Sequence, residues 1–233
     1  MKNMRLEAII LSVGLAVTGY FIKTGLDRFS GGSRVVNVKG LAEMEVPADK
    51  VIWPLMYKEL GNDLPSLYNK IKETNKAIVD FLKQKGITDE EITINAPEIT
   101  DKQADRYDNA LQLYRYQVTA IITVTSDKVD LIRKLINEQS ELLKQGIAII
   151  NGDYRCNVQF EYTSLNKIKP QMIEEATKNA RIAAEKFAKD SESELGPIKR
   201  AYQGQFSIED RDANTPYIKR VRIVSTIDYS LED

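Results

Sequence analysis

An alternating apolar pattern near the start of the chain constrains the fold more than any other feature. Over residues 36–46 the even-numbered positions are apolar or small and most of the odd-numbered ones are polar, a period of two that is typical of a half-buried strand. A turn at residues 47–49 follows, and the alternation resumes over residues 51–57. The stretch predicts two adjacent strands. Pro54 in the second has no N–H to donate, so we expect an edge or a bulge there.

Further along, the period changes to three and four residues in three segments, which predicts amphipathic helices. The first runs over residues 64–82, after Asp63 and before Gly86; the second starts at a Ser126 or Asp127 cap and runs to Gly146. The third is expected to begin at Pro170 and to end before Gly196-Pro197. Its predicted apolar face consists of Ile173, Ala176, Ala180, Ala183, Ala184, Phe187 and Ala188.

Strand character returns between and after these helices, over residues 92–99, 113–125, 154–162, 198–208 and 217–231. Consecutive strands joined by turns, with helices gathered between them, predict an α+β fold of mainly antiparallel sheets packed with helices. The alanine-rich third helix is expected to lie flat against a sheet, because small side chains allow close approach.

Composition narrows the possible functions. The chain has 233 residues, no histidine and one cysteine, so Ser-His and Cys-His nucleophile pairs, disulfides and multi-cysteine zinc sites are excluded within it. Cys156 is interpreted as a small buried strand residue. The net charge of -1 supplies no field for a nucleic-acid partner, and none is expected.

The first thirty residues predict a membrane segment. An uncharged run of about fifteen residues from Ala8 to Ile22 follows Lys2 and Arg5, which is short against the usual span of about twenty. A cleaved signal peptide, an uncleaved anchor and a buried core helix all remain open, and the poor cleavage site favours the anchor. The segment's apolar residues are Ile9, Ile10, Leu11, Val13, Leu15, Val17, Phe21 and Ile22.

We therefore divide the chain into an anchor or signal segment at 1–29, a Gly/Ser linker at 30–33 and a folded domain at 34–233. The basic N-terminus is expected to stay in the cytoplasm. This places the domain in the periplasm, tethered to the inner membrane, or released there if the segment is cleaved.

The sequence contains few candidate catalytic or metal-binding groups. The best carboxylate groups are Asp101, Asp105 and Asp108 in one loop, and Glu209, Asp210 and Asp212 in another. Neither has the spacing of an EF-hand, and solvated loop charge explains both. No phosphate-binding loop is present in the sequence. We predict no catalytic residue, no metal site and no cofactor.

Three tyrosines offer a possible binding surface. Tyr107, Tyr114 and Tyr116 are candidates to line a groove for a peptide, a glycan or a small ligand. Packing within a strand explains Tyr114 and Tyr116 equally well.

A series of motifs, taken in order and spacing, resembles the SIMPL-domain family over residues 34–231. The motifs are Val36-x-Val38-x-Gly40 through Val46-Pro47-Ala48-Asp49, Gly86-Ile87 with Glu91-Ile92-Thr93, Tyr114-Arg115-Tyr116-Gln117-Val118, Asp127-Lys128-Val129-Asp130-Leu131, Gly146-Ile147-Ala148 before Val158 and Phe160, the alanine-spaced third helix with Leu195-Gly196 after it, and Val221-x-Ile223-x-Ser225-x-Ile227-x-Tyr229. The chain departs from the family at Ala42, where a second glycine is usual, and at residues 47–49, where a Pro-Asp pair is usual.

The resemblance implies an envelope protein, since bacterial relatives are periplasmic or membrane-associated and have no established enzymatic activity. Some are linked to protection from oxidative stress, and some are similar to ring-like or channel-like oligomers. It favours a non-enzymatic, self-assembling envelope or stress-related scaffold, a homo-oligomer joined through the Pro54-bearing strand or the last strand. The alternatives are a periplasmic binding module for a peptide, glycan or small ligand, and a carboxylate-based enzyme.

Overall fold

A computed structural model of the chain describes residues 2–30, 34–104 and 113–232, with side chains of the first range described from residue 8 to residue 25. The helices are α1 (Lys2–Ser30), α2 (Leu64–Gln84), α3 (Val129–Glu138) and α4 (Leu165–Asp190). The strands are β1 (Val35–Pro47), β2 (Lys50–Gly61), β3 (Ile92–Ile94), β4 (Glu98–Asp101), β5 (Tyr116–Ser126), β6 (Gln159–Glu161), β7 (Glu194–Gln203), β8 (Ser207–Asp210) and β9 (Ile218–Glu232). Antiparallel pairing and flanking helices confirm the predicted α+β class.

The chain divides into two compact units. The first comprises Met1–Ala42, Gln171–Phe206 and Ile223–Asp233, and the second comprises Glu43–Pro170 and Ser207–Arg222. Residues from 34 onwards, predicted as one folded region, contribute to both.

In the first unit, β9 lies between β1 and β7, and α4 packs on this sheet. A Cβ on Gly40 would lie 1.8 Å from the Ala176 carbonyl oxygen and 2.4 Å from the Ala180 nitrogen. The backbones of β1 and α4 are therefore in direct contact, as the small residues predict. The buried face of α4 consists of Met172, Ala176, Ala180, Ala184 and Ala188.

In the second unit, a sheet in the order β3-β5-β2-β6 carries α2 and α3 on one face. β2 and β5 pair without a break from Val51 opposite Ser126 to Gly61 opposite Tyr116. Because alternate residues share a face, the odd positions of β2 and the even positions of β5 point towards the helices. Trp53, Leu55, Ile78, Leu82, Ile122, Ile132 and Leu135 form the centre of this core.

Pro54 does not mark an edge strand, so that prediction is wrong. β2 is interior, and Pro54 lies opposite Thr123 within an unbroken register. The Met56 carbonyl, two residues on, accepts a hydrogen bond from the Ile150 nitrogen on the side away from β5. The Pro54 nitrogen faces that same side, and β6 pairs only with Lys50 to Ile52. The missing N–H therefore costs no ladder bond with β5.

The predicted limits of α4 are also wrong. The helix begins at Leu165 and contains Pro170 in its second turn, and Gly196-Pro197 lie inside β7 rather than at the helix end. Pro170 is the sixth residue of the helix, beyond the first four N–H groups that lack an intrahelical partner, so the helix forgoes the bond to the Asn166 carbonyl there. Phe187, predicted on the buried face, is 60% exposed.

Two shorter corrections concern α3 and the segment after it. α3 ends at Glu138, and a 3-10 helix follows it as far as Gln145. The next residue, Gly146, adopts the left-handed conformation with φ 76° and ends this helix. The predicted strand at 154–162 is a 3-10 turn at Tyr154–Cys156 followed by the short β6. Asp153 caps this turn by accepting a hydrogen bond from the Arg155 nitrogen.

Candidate functional site

An apolar groove with a volume of about 590 Å³ lies in the second unit, between α2 and the sheet edge formed by β3 and β4. Its apolar and aromatic lining consists of Leu64, Leu67, Tyr68, Ile71, Val79, Ile94, Pro97, Ile99 and Val118. Its polar lining consists of Lys72, Asn75, Lys76 and Asn95. The volume lies within the range of roughly 300–1,000 Å³ that is usual for small-molecule sites.

α2 supplies one wall of the groove. Asp63 fixes the start of the helix, since its carboxylate accepts a hydrogen bond from the Ser66 nitrogen at 2.9 Å. Tyr68, Lys72 and Lys76 are spaced by four residues and share one edge of the helix, beside the stripe that packs into the core. The groove therefore follows the boundary between the buried and the solvated faces of α2.

β3 and β4 supply the opposite wall through a break in register. Ile94 lies opposite Ile122 of β5, whereas Ile99 lies opposite Val118, so one extra residue is inserted between them. Five residues apart in an unbroken strand, the two isoleucines would point to opposite faces. The inserted residue, beside Pro97, turns both towards α2. This bulge contradicts the single strand predicted over 92–99.

A buried tyrosine hydroxyl contacts two of the residues that line the groove, Ile71 and Asn75. Tyr57 Oη lies 2.9 Å from Asn75 Oδ1 and 3.2 Å from the Ile71 carbonyl oxygen, and both oxygens are acceptors for its single hydrogen. Burial raises the pKa of Tyr57 well above its usual value, and the Glu59 carboxylate raises it further. The phenol is therefore a structural hydrogen-bond donor and is not positioned to act as a base.

Positive charge lies along the α2 side of the groove. Lys70 and Lys83 on the same helix pair with Glu59 and Asp89 at 2.6 Å each. Among the described residues, Lys72 and Lys76 form no ion pair, and no aspartate or glutamate lines the groove. In the described part of the chain, the rim therefore carries two exposed lysines without an ion-pair partner, while the exposed carboxylates nearest to Lys76 along α2, Glu73 and Asp80, do not line the groove.

The predicted tyrosine surface does not coincide with the groove. Tyr114 is exposed and Tyr116 is half-buried against the core, but neither lines the groove, and Tyr107 lies outside the described residues. The Arg115 guanidinium lies 4.8 Å from the centre of the Tyr116 ring. Asn62 fixes this stretch by accepting a hydrogen bond from the Arg115 nitrogen at 2.7 Å. The Tyr116 ring is therefore in contact with the Arg115 guanidinium and with the core.

Sequence reasoning missed the groove residues Tyr68, Ile94 and Ile99. The available signals were weak: an aromatic residue on the outer edge of an amphipathic helix, and two isoleucines at an odd spacing beside a proline. Only the pairing of both short strands with β5 brings these side chains together.

The first candidate carboxylate group is engaged in pairing. The Asp101 carboxylate accepts hydrogen bonds from Arg115 Nε and Nη2 at 3.0 and 2.8 Å, and these bonds hold the pKa of Asp101 below its usual value. Asp105 and Asp108 lie outside the described residues.

The second carboxylate group is also engaged. Asp210 pairs with Lys219, which is buried, and Glu209 lies opposite Arg220 in the β8–β9 pair. The Asp212 carboxylate caps a turn, and hydrogen bonds from Thr215 Oγ1 and from the Asn214 nitrogen lower its pKa to about 2. Across the described residues, no group of three or more His, Cys, Asp or Glu side chains is placed to hold a metal ion.

The N-terminal helix carries a second candidate function. Ala8–Gly25 of α1 has a mean hydropathy of 1.5 and none of it is buried, so by length and composition it can cross a membrane. A signal sequence has the same properties. The predicted membrane residues are all exposed: Ile9, Ile10, Leu11, Val13, Leu15, Val17, Phe21 and Ile22.

Comparison with models of protein families identifies a match over most of the chain. The model of the SIMPL family, described as a protein of unknown function (DUF541), matches residues 36–223. No curated protein matches the chain.

Proposed function

The chain belongs to the SIMPL family, and from that premise we propose that it is a non-enzymatic binding module, anchored by α1 in the inner membrane, whose periplasmic domain holds a small apolar ligand beside α2. The observation that carries the proposal is the groove itself. It combines a volume of about 590 Å³ with a lining that is mostly apolar.

The exposure of the groove's side chains supports binding over a packing role. Leu64, Tyr68, Ile94 and Ile99 are large and exposed, and they line one continuous concave surface. Single exposed apolar residues are ordinary, but a contiguous apolar concavity is the usual form of a ligand site.

The placement in the envelope rests on α1 and its flanks. Lys2 and Arg5 precede the apolar helix, and basic residues tend to remain on the cytoplasmic side. The domain then emerges on the periplasmic side. Cleavage after the helix would release the same domain into the periplasm.

A dye-binding measurement tests the proposal. N-phenyl-1-naphthylamine is neutral and fluoresces in apolar sites, and residues 34–233 are used because α1 would itself bind the dye. Ile94→Glu is expected to weaken binding at least about tenfold, since the ligand would have to bury a charge. Ile182→Glu on α4 is the matched control, because Ile94 and Ile182 are each 54% exposed. Circular dichroism establishes that both variants fold. Absence of binding, or equal binding by Ile94→Glu, would contradict the proposal.

A second candidate function, self-assembly as an envelope or stress-related scaffold, is favoured by β7. The strands first expected to join subunits, β2 and β9, are interior in their sheets. β7 instead ends the order β1-β9-β7, and it exposes Ile198 and Tyr202. An edge strand with exposed apolar side chains can pair with another chain.

Light scattering on residues 34–233 across a concentration series tests assembly. A defined multimer that dissociates in Ile198→Lys/Tyr202→Lys, but persists in Ile182→Lys, is the expected result. A monomer at every concentration would overturn it. A carboxylate-based enzyme has less support than either candidate, since Asp101, Asp210 and Asp212 are each engaged in intramolecular pairing.

A further inference from the structure

We propose that the ligand of the groove is a fatty carboxylate, a molecule with one alkyl chain and one negatively charged head, whose chain lies against Ile94 and Ile99 and whose head lies beside Lys72 and Lys76. This inference rests on the proposed binding function and adds the chemical class of the ligand.

The size of the groove favours a small molecule over a protein. A stable protein–protein interface takes roughly 20–30 residues from each side. Thirteen residues line the groove, and its volume of about 590 Å³ suits a molecule rather than a folded partner. An added peptide strand is also disfavoured, because Pro97 and the bulge interrupt the edge that it would extend.

The arrangement of apolar and polar residues around the groove favours an amphiphilic ligand. Nine of the thirteen lining residues are apolar or aromatic, and they come from both walls. Three of the four polar lining residues, Lys72, Asn75 and Lys76, come from one stretch of α2, and they include both charged ones. The fourth, Asn95, is on the opposite wall, where its amide donates a hydrogen bond to Thr123 Oγ1 at 2.9 Å. A ligand that matches this surface is apolar over most of its length and polar at one place.

The sign of the charge favours an anion. Lys72 and Lys76 are one helical turn apart and form no ion pair among the described residues, whereas Lys70 and Lys83 are paired. No acidic side chain of the described chain lines the groove to attract a cation. The nearby ammonium groups complement one carboxylate head.

Photolabelling of the full chain in lipid nanodiscs tests the assignment. Two diazirine probes of equal chain length are compared, one a palmitate analogue and the other the corresponding uncharged alcohol. Mass spectrometry then measures labelling of the peptides from α2, β3 and β4, relative to labelling of α1, which reports the amount of probe in the bilayer. Lys72→Glu/Lys76→Glu is compared with Lys167→Glu/Lys178→Glu, which reverses two exposed lysines of α4.

The expected result is stronger groove labelling by the carboxylate than by the alcohol, and a loss of about tenfold in Lys72→Glu/Lys76→Glu only. A tenfold loss is about 1.4 kcal/mol, or about 0.7 kcal/mol for each of two surface ion pairs. Equal labelling by both probes, unaffected by the lysine changes, would overturn the carboxylate while leaving the groove a ligand site. Groove labelling by neither probe would overturn the proposed function as well. Labelling that falls as more copies are placed in each disc would identify a second chain as the occupant and would overturn the fatty carboxylate.

Discussion

The hydroxyl of Tyr57 on β2 lies 2.9 Å from Asn75 Oδ1 on α2, and this contact joins the sheet to the helix beneath the groove. The same hydroxyl lies 3.2 Å from the Ile71 carbonyl oxygen, so two acceptors on α2 share its single hydrogen. The wall of the groove is therefore fixed to the core by a buried polar contact as well as by apolar packing.

Tyr57→Phe is expected to lower the free energy of unfolding by about 1 kcal/mol, because the substitution keeps the packed ring and removes only the hydrogen-bond donor. Urea unfolding of residues 34–233, followed by the fluorescence of the buried Trp53, measures the change. Tyr68→Phe is the matched control, since Tyr68 lies on α2 and its side chain is exposed. Equal effects of the two substitutions would contradict a specific role for the Tyr57 hydroxyl.

Gly40→Ala is expected to destabilise the first unit by about 1–3 kcal/mol or more, because the new methyl group would overlap backbone atoms of Ala176 and Ala180. Gly61→Ala is the comparison: there the methyl group would meet only the Leu67 side chain, at 3.0 Å, and that side chain can move. Thermal unfolding followed by circular dichroism measures both variants. If Gly40→Ala is as stable as Gly61→Ala, α4 does not pack on the β1 backbone.

Local signals in the sequence were sufficient to predict α2. Asp63 caps its N-terminus through the Ser66 nitrogen, and Gly86, with φ 93°, follows its C-terminus, so both limits are determined by nearby residues. The long β1 and β9 were predictable for a similar reason, since each keeps a period of two over most of its length.

Other features of the fold could not be predicted, because they depend on pairing between strands that are distant in sequence. The bulge between β3 and β4 exists because both strands pair with β5, whose partner residues lie 15 to 32 positions further along the chain. Pro54 suggested an edge, but whether its missing N–H costs a hydrogen bond depends on where β6 ends. The groove follows from these pairings, so no short motif could have identified its lining.

Glu91 makes stability depend on pH. Partial burial alone would raise its pKa, but hydrogen bonds from Ser126, from Thr88 and from Lys128 outweigh burial and lower the pKa to about 2 from an ordinary value of 4.5. A lowered pKa means that the ionised carboxylate stabilises the fold above pH 4.5, and that this contribution is lost as the pH falls towards 2.

The contribution of Glu91 is expected to be roughly 2 kcal/mol after allowance for solvent screening. Urea unfolding between pH 7 and pH 2 compares the unmodified sequence of residues 34–233 with Glu91→Gln, which keeps the shape of the side chain. The stability difference should be largest near neutral pH and should vanish as the pH approaches 2. Glu90→Gln, on the same turn, controls for the loss of one charge. A difference that stays constant over this range would show that the Glu91 hydrogen bonds do not depend on ionisation.

Cys156 is expected to react slowly with thiol reagents, although it lies in a short 3-10 turn rather than in a strand. Its side chain belongs to a residue that is 9% exposed; burial raises the pKa of the thiol, and the Asp153 carboxylate raises it further. Because the thiolate is the reactive form, both effects reduce the rate at neutral pH. The reaction with 5,5′-dithiobis(2-nitrobenzoate) at pH 7.5 measures this rate.

Tyr154, two residues before Cys156, offers a matched comparison for this reaction rate. Tyr154 belongs to the same turn and is 83% exposed, so Tyr154→Cys in a Cys156→Ser background places one thiol on the outside of the turn. That thiol is expected to react at least about tenfold faster than Cys156, because it is hydrated and accessible. Unfolding in urea should remove the difference. Equal rates in the folded state would mean that Cys156 is accessible, and the turn would then have to open readily in solution.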